Sequence, residues 1–358
     1  MRASYAIDKG IIEVVAGGIF NKFMQSRLKR RRNTLFFEDV VASYIKECES
    51  AGHGEEMYEL GREWFRLIFR NLFTKETRAL PWNISMNGIV AAAWKTLGVL
   101  DDLHVEKEGD TLIGVAVNES VTSAIGKNMF CAGLVTGIYE VVFDKKVRYL
   151  RHRVEGKKSI YHHVIQDESP TSYPSKSKDE YDLLNRLDPV EGFSLQDALQ
   201  KGIFVMKGNR LYFRNKRLWQ VENTLFHLFG KRKILFDRVP VLSQAFFKEI
   251  LGKDSSGDER LNLLKTLLQV MGWGAVRITY GQKERIVVEI RHPPRGFQQF
   301  NDDYGFLARF ILGFMQNINP AFGLSEWRMA GNAVRMEYYA DKERSNATKT
   351  RVTSPLRI

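Results

Sequence analysis

Two clusters of basic residues are the strongest candidates for chemistry in this sequence. The first has six cations and no acidic residue between positions 22 and 32, and the second interleaves cations with Tyr212, Phe213 and Trp219. Arginine binds phosphate oxygens through paired hydrogen bonds, and aromatic rings stack on unpaired bases. The composition therefore predicts an RNA-binding surface, made of Lys22, Arg27, Lys29, Arg30, Arg31 and Arg32 in the first cluster and Lys207, Arg210, Arg214, Lys216 and Arg217 in the second.

A solvated hairpin with its aromatic side chains turned into the core would have the same composition, so both interpretations stay open. RNA binding is favoured because two clusters occur at equivalent places and a basic tail follows. In the first cluster, Arg27 and the run Arg30 to Arg32 are too crowded for all to point inward, and no acidic run nearby neutralises them. We expect several of these arginines to face solvent.

Three histidines, His152, His162 and His163, are the first candidates for a metal site or for catalysis. They lie on two strand-like runs, and if these strands pair, His152 and His162 share a face. Zinc needs three or four ligands at about 2.0 to 2.3 Å, and no neighbouring Cys, Asp or Glu cluster completes such a set. The sequence also contains no nucleophile elbow, phosphate-binding loop or His-Glu-x-x-His motif. We expect a non-enzymatic protein without a metal or cofactor.

The chain repeats short motifs in the same order, which predicts a duplicated globular domain whose halves pack as an internal pseudo-dimer. Each match alone is at chance level, and the shared order is the evidence. The matches are Lys9-Gly10-Ile11 with Lys201-Gly202-Ile203, Asn33-Thr34-Leu35-Phe36 with Asn223-Thr224-Leu225-Phe226, Leu97-Gly98 with Met271-Gly272, Gly133-Leu134-Val135-Thr136 with Gly305-Phe306-Leu307-Ala308, and Gly156 with Gly331.

Hydrophobic periodicity gives each copy a β-hairpin, helices, a second hairpin, a long helix and two terminal strands. The first hairpin of copy one is predicted from Ile11–Val15 and Ile19–Met24, joined at Gly17-Gly18. Gly133 and Gly305 on the long helices are predicted to allow close packing. The expected fold class is α+β, with two tandem copies of a domain whose helices pack on an antiparallel sheet. The boundaries are residues 1–165, a linker over 166–195, residues 196–340 and a basic tail over 341–358.

Composition sets the compartment and the class of partner. The 358 residues carry a net charge of +12, which favours polyanionic partners, and 44% hydrophobic residues suffice for two cores. Cys48 and Cys131 form no disulfide or zinc framework, so a reducing cytoplasmic location is expected. Asp8 and Glu13 interrupt the N-terminal apolar run, and no stretch reaches the roughly 18 apolar residues of a membrane span. We expect an unprocessed protein without a membrane span.

The order of a glycine-containing helix followed by strand, glycine and strand resembles the 4-vinyl-reductase-type hydrocarbon-binding domain. That family shares its ligand-binding fold with haem nitric-oxide sensors and transport-particle subunits of vesicle tethering. Phe130 with Gly133–Gly137 looks like the family's aromatic and glycine helix, and Gly156 looks like the glycine between its last two strands. The resemblance covers nearly the whole chain, once per copy. The family's cysteines, four residues either side of that glycine, are replaced here by His152 and Ile160 and, in copy two, by Trp327 and Arg335.

The resemblance implies a dimerising module that encloses a hydrophobic small molecule or serves as an assembly surface. Together with the basic clusters, it predicts a homodimeric RNA- or ribosome-binding regulator that bridges or blocks a ribonucleoprotein surface. The alternative is a sensor of a hydrophobic small molecule, or an assembly module, with the ligand cavity between the helices and the sheet of one copy.

Overall fold

The computed structural model describes residues 2–6, 11–15, 32–73, 79–170, 195–251, 255–280, 285–296 and 302–340. The first basic cluster up to Arg31, the predicted strand over 19–24, most of the predicted linker and the basic tail lie outside these ranges. For the two N-terminal strands and Arg32, only the backbone is described.

The first half contains three strands, a group of helices, and two hairpins separated by a long helix. Its helices are α1 (Glu38–Ser50), α2 (Gly54–Leu72), a π-helical segment (Ile84–Val90) that continues as α3 (Ala91–Thr96), α4 (Thr122–Ile125) and α5 (Met129–Phe143). Its strands are β1 (Arg2–Ala6), β2 (Ile11–Val15), β3 (Arg32–Phe37), β4 (Asp102–Glu108), β5 (Thr111–Val117), β6 (Val147–Glu155) and β7 (Lys158–Ile165).

The second half begins with a short helix and then follows a similar order. Its helices are α6 (Leu195–Gln200), α7 (Thr224–Arg232), α8 (Arg238–Ile250), α9 (Gly257–Val270) and α10 (Gly305–Ile318). Its strands are β8 (Phe204–Lys207), β9 (Arg210–Phe213), β10 (Lys216–Glu222), β11 (Ala275–Tyr280), β12 (Arg285–Arg291), β13 (Phe322–Ala330) and β14 (Ala333–Ala340). The α+β fold class predicted from the sequence is confirmed.

Local sequence explains where several elements begin and end. The side chain of Asn128 accepts a hydrogen bond from the Cys131 amide at 2.7 Å and caps α5, and Ser256 forms a capping box with Glu259 at the start of α9. The glycines after α3 and α9, Gly98 and Gly272, have φ of 68° and 86°, a left-handed backbone that glycine adopts without strain.

The two halves are joined by one six-stranded antiparallel sheet of order β1-β2-β3-β10-β9-β8. Each half supplies three strands, and β3 and β10 pair at the centre, from Asn33 opposite Glu222 to Phe37 opposite Leu218. The opening hairpin of the first half joins β1 to β2, with Ala6 opposite Ile11. The predicted hairpin instead joined Ile11–Val15 to a strand that falls outside the described residues.

Each half also has its own four-stranded antiparallel sheet, and the two sheets share one strand order. These are β4-β5-β7-β6 and β11-β12-β14-β13, each with a long helix between its two hairpins. The tight turns at Gly156 and Gly331, with φ of 59° and 62°, close equivalent hairpins. The element order therefore repeats, while common descent of the halves stays a prediction.

One of the five sequence matches aligns residues of different secondary structure. Asn33–Phe36 lie in strand β3, whereas Thr224–Phe226 lie in helix α7. The counterpart of β3 in the second half is β10, which ends just before the repeated letters. Identical short segments adopt different structures here because pairing with the neighbouring strand overrides local preference.

The core is shared between the halves, because each central strand packs into the other half. Phe36 and Phe37 of β3 lie 4.6 Å from the rings of Phe310 and Phe246, respectively, both in the second half. In the opposite direction, Trp219 of β10 lies 5.8 Å from Trp64 of α2. The predicted domains 1–165 and 196–340 thus interlock around one hydrophobic core.

Glycines allow the closest helix crossings in both halves. A Cβ on Gly133 of α5 would lie 2.0 Å from the Tyr58 carbonyl oxygen of α2, and one on Gly137 would lie 2.4 Å from that of Arg62. In the second half, Gly313 is the residue that meets backbone, 2.3 Å from the Pro240 carbonyl oxygen. Gly133 is thus the close-packing residue predicted, while Gly305 is not the counterpart, because its nearest neighbours are side chains.

Candidate nucleic-acid interface and the contact between the halves

Arg217, predicted to bind RNA, lies in the contact between the halves. Its Nε atom is 2.8 Å from Glu38 Oε2, and its Nη2 atom donates hydrogen bonds to the Gly98 carbonyl oxygen at 2.6 Å and to Ser120 Oγ at 2.7 Å. Only 10% of its side chain is exposed. Every one of these partners belongs to the first half, so this guanidinium holds β10 against the first half.

Two more predicted RNA ligands make similar contacts. Arg210 Nη2 lies 2.7 Å from Asp101 Oδ1 and donates to the Asn118 carbonyl oxygen at 2.8 Å. Lys216 Nζ lies 3.2 Å from Asp39 of the first half and 2.7 Å from Glu249 of the second. We call the ion-paired residues Glu38, Asp39, Asp101, Arg210, Lys216 and Arg217 the seam.

The remaining two cations of the second cluster are exposed. Lys207 Nζ lies 5.1 Å from the Tyr212 ring centre, and Arg214 lies over Phe213 while one Nη atom donates to the Ile250 carbonyl oxygen. Tyr212 is half-buried, whereas Phe213 and Trp219 are 2% and 3% exposed. Two of the three aromatic residues therefore face the core, as the alternative interpretation of this cluster predicts.

Burial affects both members of the central ion pair. It raises the pKa of Glu38 despite the opposing effect of the adjacent Arg217 guanidinium, and it lowers the pKa of Arg217. The Val121 amide also donates to Glu38 Oε1 at 3.2 Å, which favours the carboxylate. Glu38 and Asp39 are not among the residues predicted from the sequence, although two adjacent acids after β3 are a signal for the partner of a basic strand.

An open groove lies beside the seam. It has a volume of about 340 Å³ and is bounded by α1 and α4 of the first half and by α8 of the second. Ile125, Leu242 and Phe246 contribute apolar surface, while the carboxylates of Asp39 and Glu249 lie at the same groove. A small molecule with an apolar body fits such a site.

The three histidines do not assemble a metal site. The two-residue turn at 156–157 places Glu155 opposite Lys158, which sets His152 opposite Tyr161 and Arg151 opposite His162. His152 is therefore buried, and His162 lies on the other face. The prediction that these two share a face is wrong for that reason. His163 is buried as well, and its Nε2 atom lies 2.9 Å from Thr136 Oγ1. Within the described ranges, no group of three His, Cys, Asp or Glu side chains could hold a metal ion.

A buried polar cluster lies between the start of α5 and the first four-stranded sheet. Tyr161 donates to Glu119 Oε2, Thr122 Oγ1 donates to the same oxygen at 2.8 Å, and Asn128 Nδ2 donates to Thr122 Oγ1 at 3.0 Å. Burial raises the pKa of Glu119 to about 7. His152 stacks on Tyr161 with ring centres 4.2 Å apart, and burial lowers its pKa to about 4. The cluster ties the sheet to α5 through groups that are closed off from solvent.

In the first half, Tyr139 of α5 meets the sheet inside the layer where the alternative interpretation places a ligand cavity. The Tyr139 hydroxyl lies against Gly114, where a Cβ would be 2.3 Å away, and the Tyr139 ring centre is 5.1 Å from that of His163. Helix α5 is therefore in direct contact with the sheet at this point.

Neither a protein-family model nor a curated protein matches this chain. The resemblance to the hydrocarbon-binding family therefore stays a prediction. Among the residues placed by the structure, no helix has both the length and the apolar character needed to cross a membrane.

Proposed function

We propose that the protein binds nucleic-acid backbone, with the first basic cluster as its principal contact. The observation that carries the proposal is the composition of residues 22 to 32, which hold six cations and no acid. Such a segment releases counterions from phosphates when it binds, and the free energy of this release dominates non-specific affinity for nucleic acids.

The seam supports this proposal because the two acids that follow β3 already form ion pairs within it. Glu38 is paired with Arg217 and Asp39 with Lys216, so second-half cations already neutralise both carboxylates. Glu13 lies opposite Arg32 in the β2–β3 pairing, so Arg32 has an acidic neighbour across the strands. Arg27, Arg30 and Arg31 are the better candidates for phosphate contacts.

The second cluster has a smaller role in this proposal. Arg210, Lys216 and Arg217 belong to the seam. If these side chains bound phosphate instead, their partner carboxylates would lose these ion pairs. Lys207 and Arg214, at the ends of β8 and β9, are exposed and are further candidates for phosphate contacts. The proposed contact is therefore the first cluster with Lys207 and Arg214. Dimerisation and association with ribosomes remain part of the same proposal.

The test compares Arg27→Glu/Arg30→Glu/Arg31→Glu with Lys46→Glu/Lys95→Glu/Lys248→Glu. The control makes the same change in charge at exposed lysines of three different helices. Binding of a labelled single-stranded RNA is followed by fluorescence anisotropy from about 50 to 300 mM salt. If about five phosphates are neutralised, log affinity falls against log salt with a slope of roughly −3.5.

We expect the arginine variant to lose binding and to flatten this slope, while the lysine variant keeps most of its affinity. Equal losses in both variants would mean that net charge alone attracts RNA. Absence of binding by the wild type at low salt would refute the proposal.

The groove beside the seam favours a second candidate, a binding site for a small molecule with an apolar body and a polar end. Its position between α1 and α8 differs from the predicted cavity within one copy. Ala245→Trp fills the groove, and Val241→Trp on the same helix, 45% exposed and outside the groove lining, is the matched control. Mass spectrometry of denatured wild type and control should release an apolar compound that Ala245→Trp lacks. A wild type that releases none would exclude this candidate.

A further inference from the structure

The first four-stranded sheet presents one face away from its helix. Its inner side, with Leu112, Ala116 and Tyr161, is buried towards α5. Among the described residues, the main helical contacts of the sheet are with α5 on that inner side and with the 84–96 segment along β4, where Asn87 exchanges two hydrogen bonds with the Val105 backbone. We call the opposite side the outer face, and its two central strands carry the partly exposed Ile113, Val115, Ile160 and Val164.

The outer face is ordered by charge from one edge to the other. Four rows cross the four strands. The row beside the Gly156 turn is Asp102-Val117-Lys158-Glu155, with an acid at both edges. In the other three rows the β4 residue is acidic or histidine, the central pair is largely apolar, and the β6 residue is arginine. These three are Glu108-Thr111-Val164-Arg148, Glu106-Ile113-His162-Arg151 and His104-Val115-Ile160-Arg153. The edge residues are all exposed, and Arg153 also lies 3.7 Å from Glu155.

The second four-stranded sheet provides an internal comparison, because it has the same strand order. Its outer face carries charged residues on the central strands, and these neutralise each other. Arg285 is paired with Glu337, Arg335 lies 2.9 Å from Glu337, and Arg291 lies 3.2 Å from Glu289. A face that meets only water is expected to look like this one. The apolar centre of the first sheet therefore points to a partner.

We infer that the outer face of the first sheet binds the same face of a second copy of this chain. A two-fold axis parallel to the strands places the acidic β4 edge of one copy over the basic β6 edge of the other, and it keeps each row over the same row. Glu106 then faces the arginine of its own row in the other copy, and Glu108 does likewise. A two-fold axis across the strands would instead place β4 over β4, with Asp102 over Glu108. The parallel axis brings acids together only in the fourth row, where Asp102 lies over Glu155. Face-to-face sheets pack about 10 Å apart, which lets the central side chains of the two copies meet.

The size of the face sets the strength of this dimer. Four strands about 4.8 Å apart, each with seven residues rising about 3.4 Å, cover on the order of 450 Å² in plan. Stable interfaces bury about 800 Å² per partner. The dimer is therefore weak and depends on concentration, with edge charges that set orientation more than affinity.

The experiment uses two charge variants of the full chain. Glu106→Arg/Glu108→Arg makes both edges basic, and Arg148→Glu/Arg151→Glu makes both edges acidic. Sedimentation equilibrium from about 2 to 200 μM should show wild-type dimers with a micromolar Kd. Each variant alone should have its Kd raised at least tenfold, while an equimolar mixture of the two should form heterodimers at least as tight as the wild type.

The control is Arg277→Glu/Arg328→Glu, which makes the same charge change on the outer face of the second sheet and should leave the dimer unchanged. The mixture also proves that both variants are folded. A wild type that stays monomeric overturns the inference. The outer face would then be covered by another segment of the chain or by RNA, and not by a second copy. Dimers that neither charge variant weakens overturn it too, because association must then use another surface.

Discussion

Arg217 of β10 and Glu38 of α1 form a buried ion pair, 2.8 Å apart, across the contact between the two halves. The sequence assigns this arginine to RNA, while the structure gives it partners from the other half. Its contacts therefore hold the two halves together. The basic residues of this chain fall into two groups, those that form ion pairs between the halves and those that face solvent.

The first prediction concerns this division. Arg217→Ala leaves the Glu38 carboxylate, 3% exposed, without its cation, and breaking a buried pair costs about 3 to 5 kcal/mol. We expect urea unfolding to show a loss of this order. Lys207→Ala, at an exposed lysine of the same cluster, should leave the unfolding curve in place. Similar unfolding curves for both variants would mean that solvent reaches the seam.

The second prediction concerns the crossing of α2 and α5. Gly133→Ala places a Cβ 2.0 Å from the Tyr58 carbonyl oxygen, so the helices must separate. The overpacking should cost about 1 to 3 kcal/mol, although alanine is the better helix former by about 1 kcal/mol. Gly88→Ala is the matched control, because the nearest atom to its Cβ is 4.0 Å away. Urea unfolding should show a destabilised Gly133→Ala and an equal or stabilised Gly88→Ala. If the opposite order is found, the crossing is wider than described.

Sequence patterns predict the elements of this fold much better than they predict the partners of its side chains. The helix with Gly133 and the turn at Gly156 follow from local spacing and glycine chemistry, and both are where they were expected. The pairing of β3 with β10 does not follow from local spacing, because it joins segments about 185 positions apart. Without that pairing, Arg217 cannot be distinguished from an exposed cation.

The same limit applies to the buried cluster around Glu119. This glutamate follows a strand in a polar stretch, where a solvent-exposed loop is the ordinary expectation. Its burial depends on Tyr161, which reaches it from β7 across 42 positions of sequence. The charge gradient of the outer face appears only when the four strands are paired in register. The sequence alone therefore does not indicate that the arginines of β6 form one basic edge.

The third prediction concerns the ion triad between α2 and α5. Glu140, 0% exposed in its side chain, lies 2.6 Å from Arg62 Nη2 and 3.2 Å from Arg66 Nε, and Arg66 is itself 2% exposed. Glu140→Ala removes a buried carboxylate that pairs with both arginines, and we expect a loss of about 3 to 5 kcal/mol in urea unfolding. Glu59→Ala removes the more exposed carboxylate 2.8 Å from the same Arg62 and should cost at most about 1 kcal/mol. Equal effects of the two substitutions would contradict the buried position of Glu140.

The fourth prediction is the pH dependence contributed by Glu119. Burial raises its pKa from 4.5 to about 7, with hydrogen bonds from Tyr161 and Thr122 opposing the shift. The folded state therefore holds this proton more tightly than the unfolded chain does. The stability that it contributes is fully present below about pH 4.5 and is lost as the pH rises through about 7. The buried His152 and His163 act in the opposite direction, because burial lowers their pKa to about 4 and about 3.

Glu119→Gln separates these effects, because the histidines are the same in both proteins. The introduced amide stays neutral at every pH. The free energy of unfolding of the variant, relative to that of wild type, should therefore rise between about pH 5 and pH 8 by on the order of 2 to 3 kcal/mol. Any constant offset from replacing the carboxyl by an amide cancels when two pH values are compared. Urea unfolding at a series of pH values measures the difference, and Glu55→Gln on exposed α2 surface is the control. Parallel pH profiles for wild type and Glu119→Gln would contradict the raised pKa. They would show that a cation or water stabilises the Glu119 carboxylate in the folded protein.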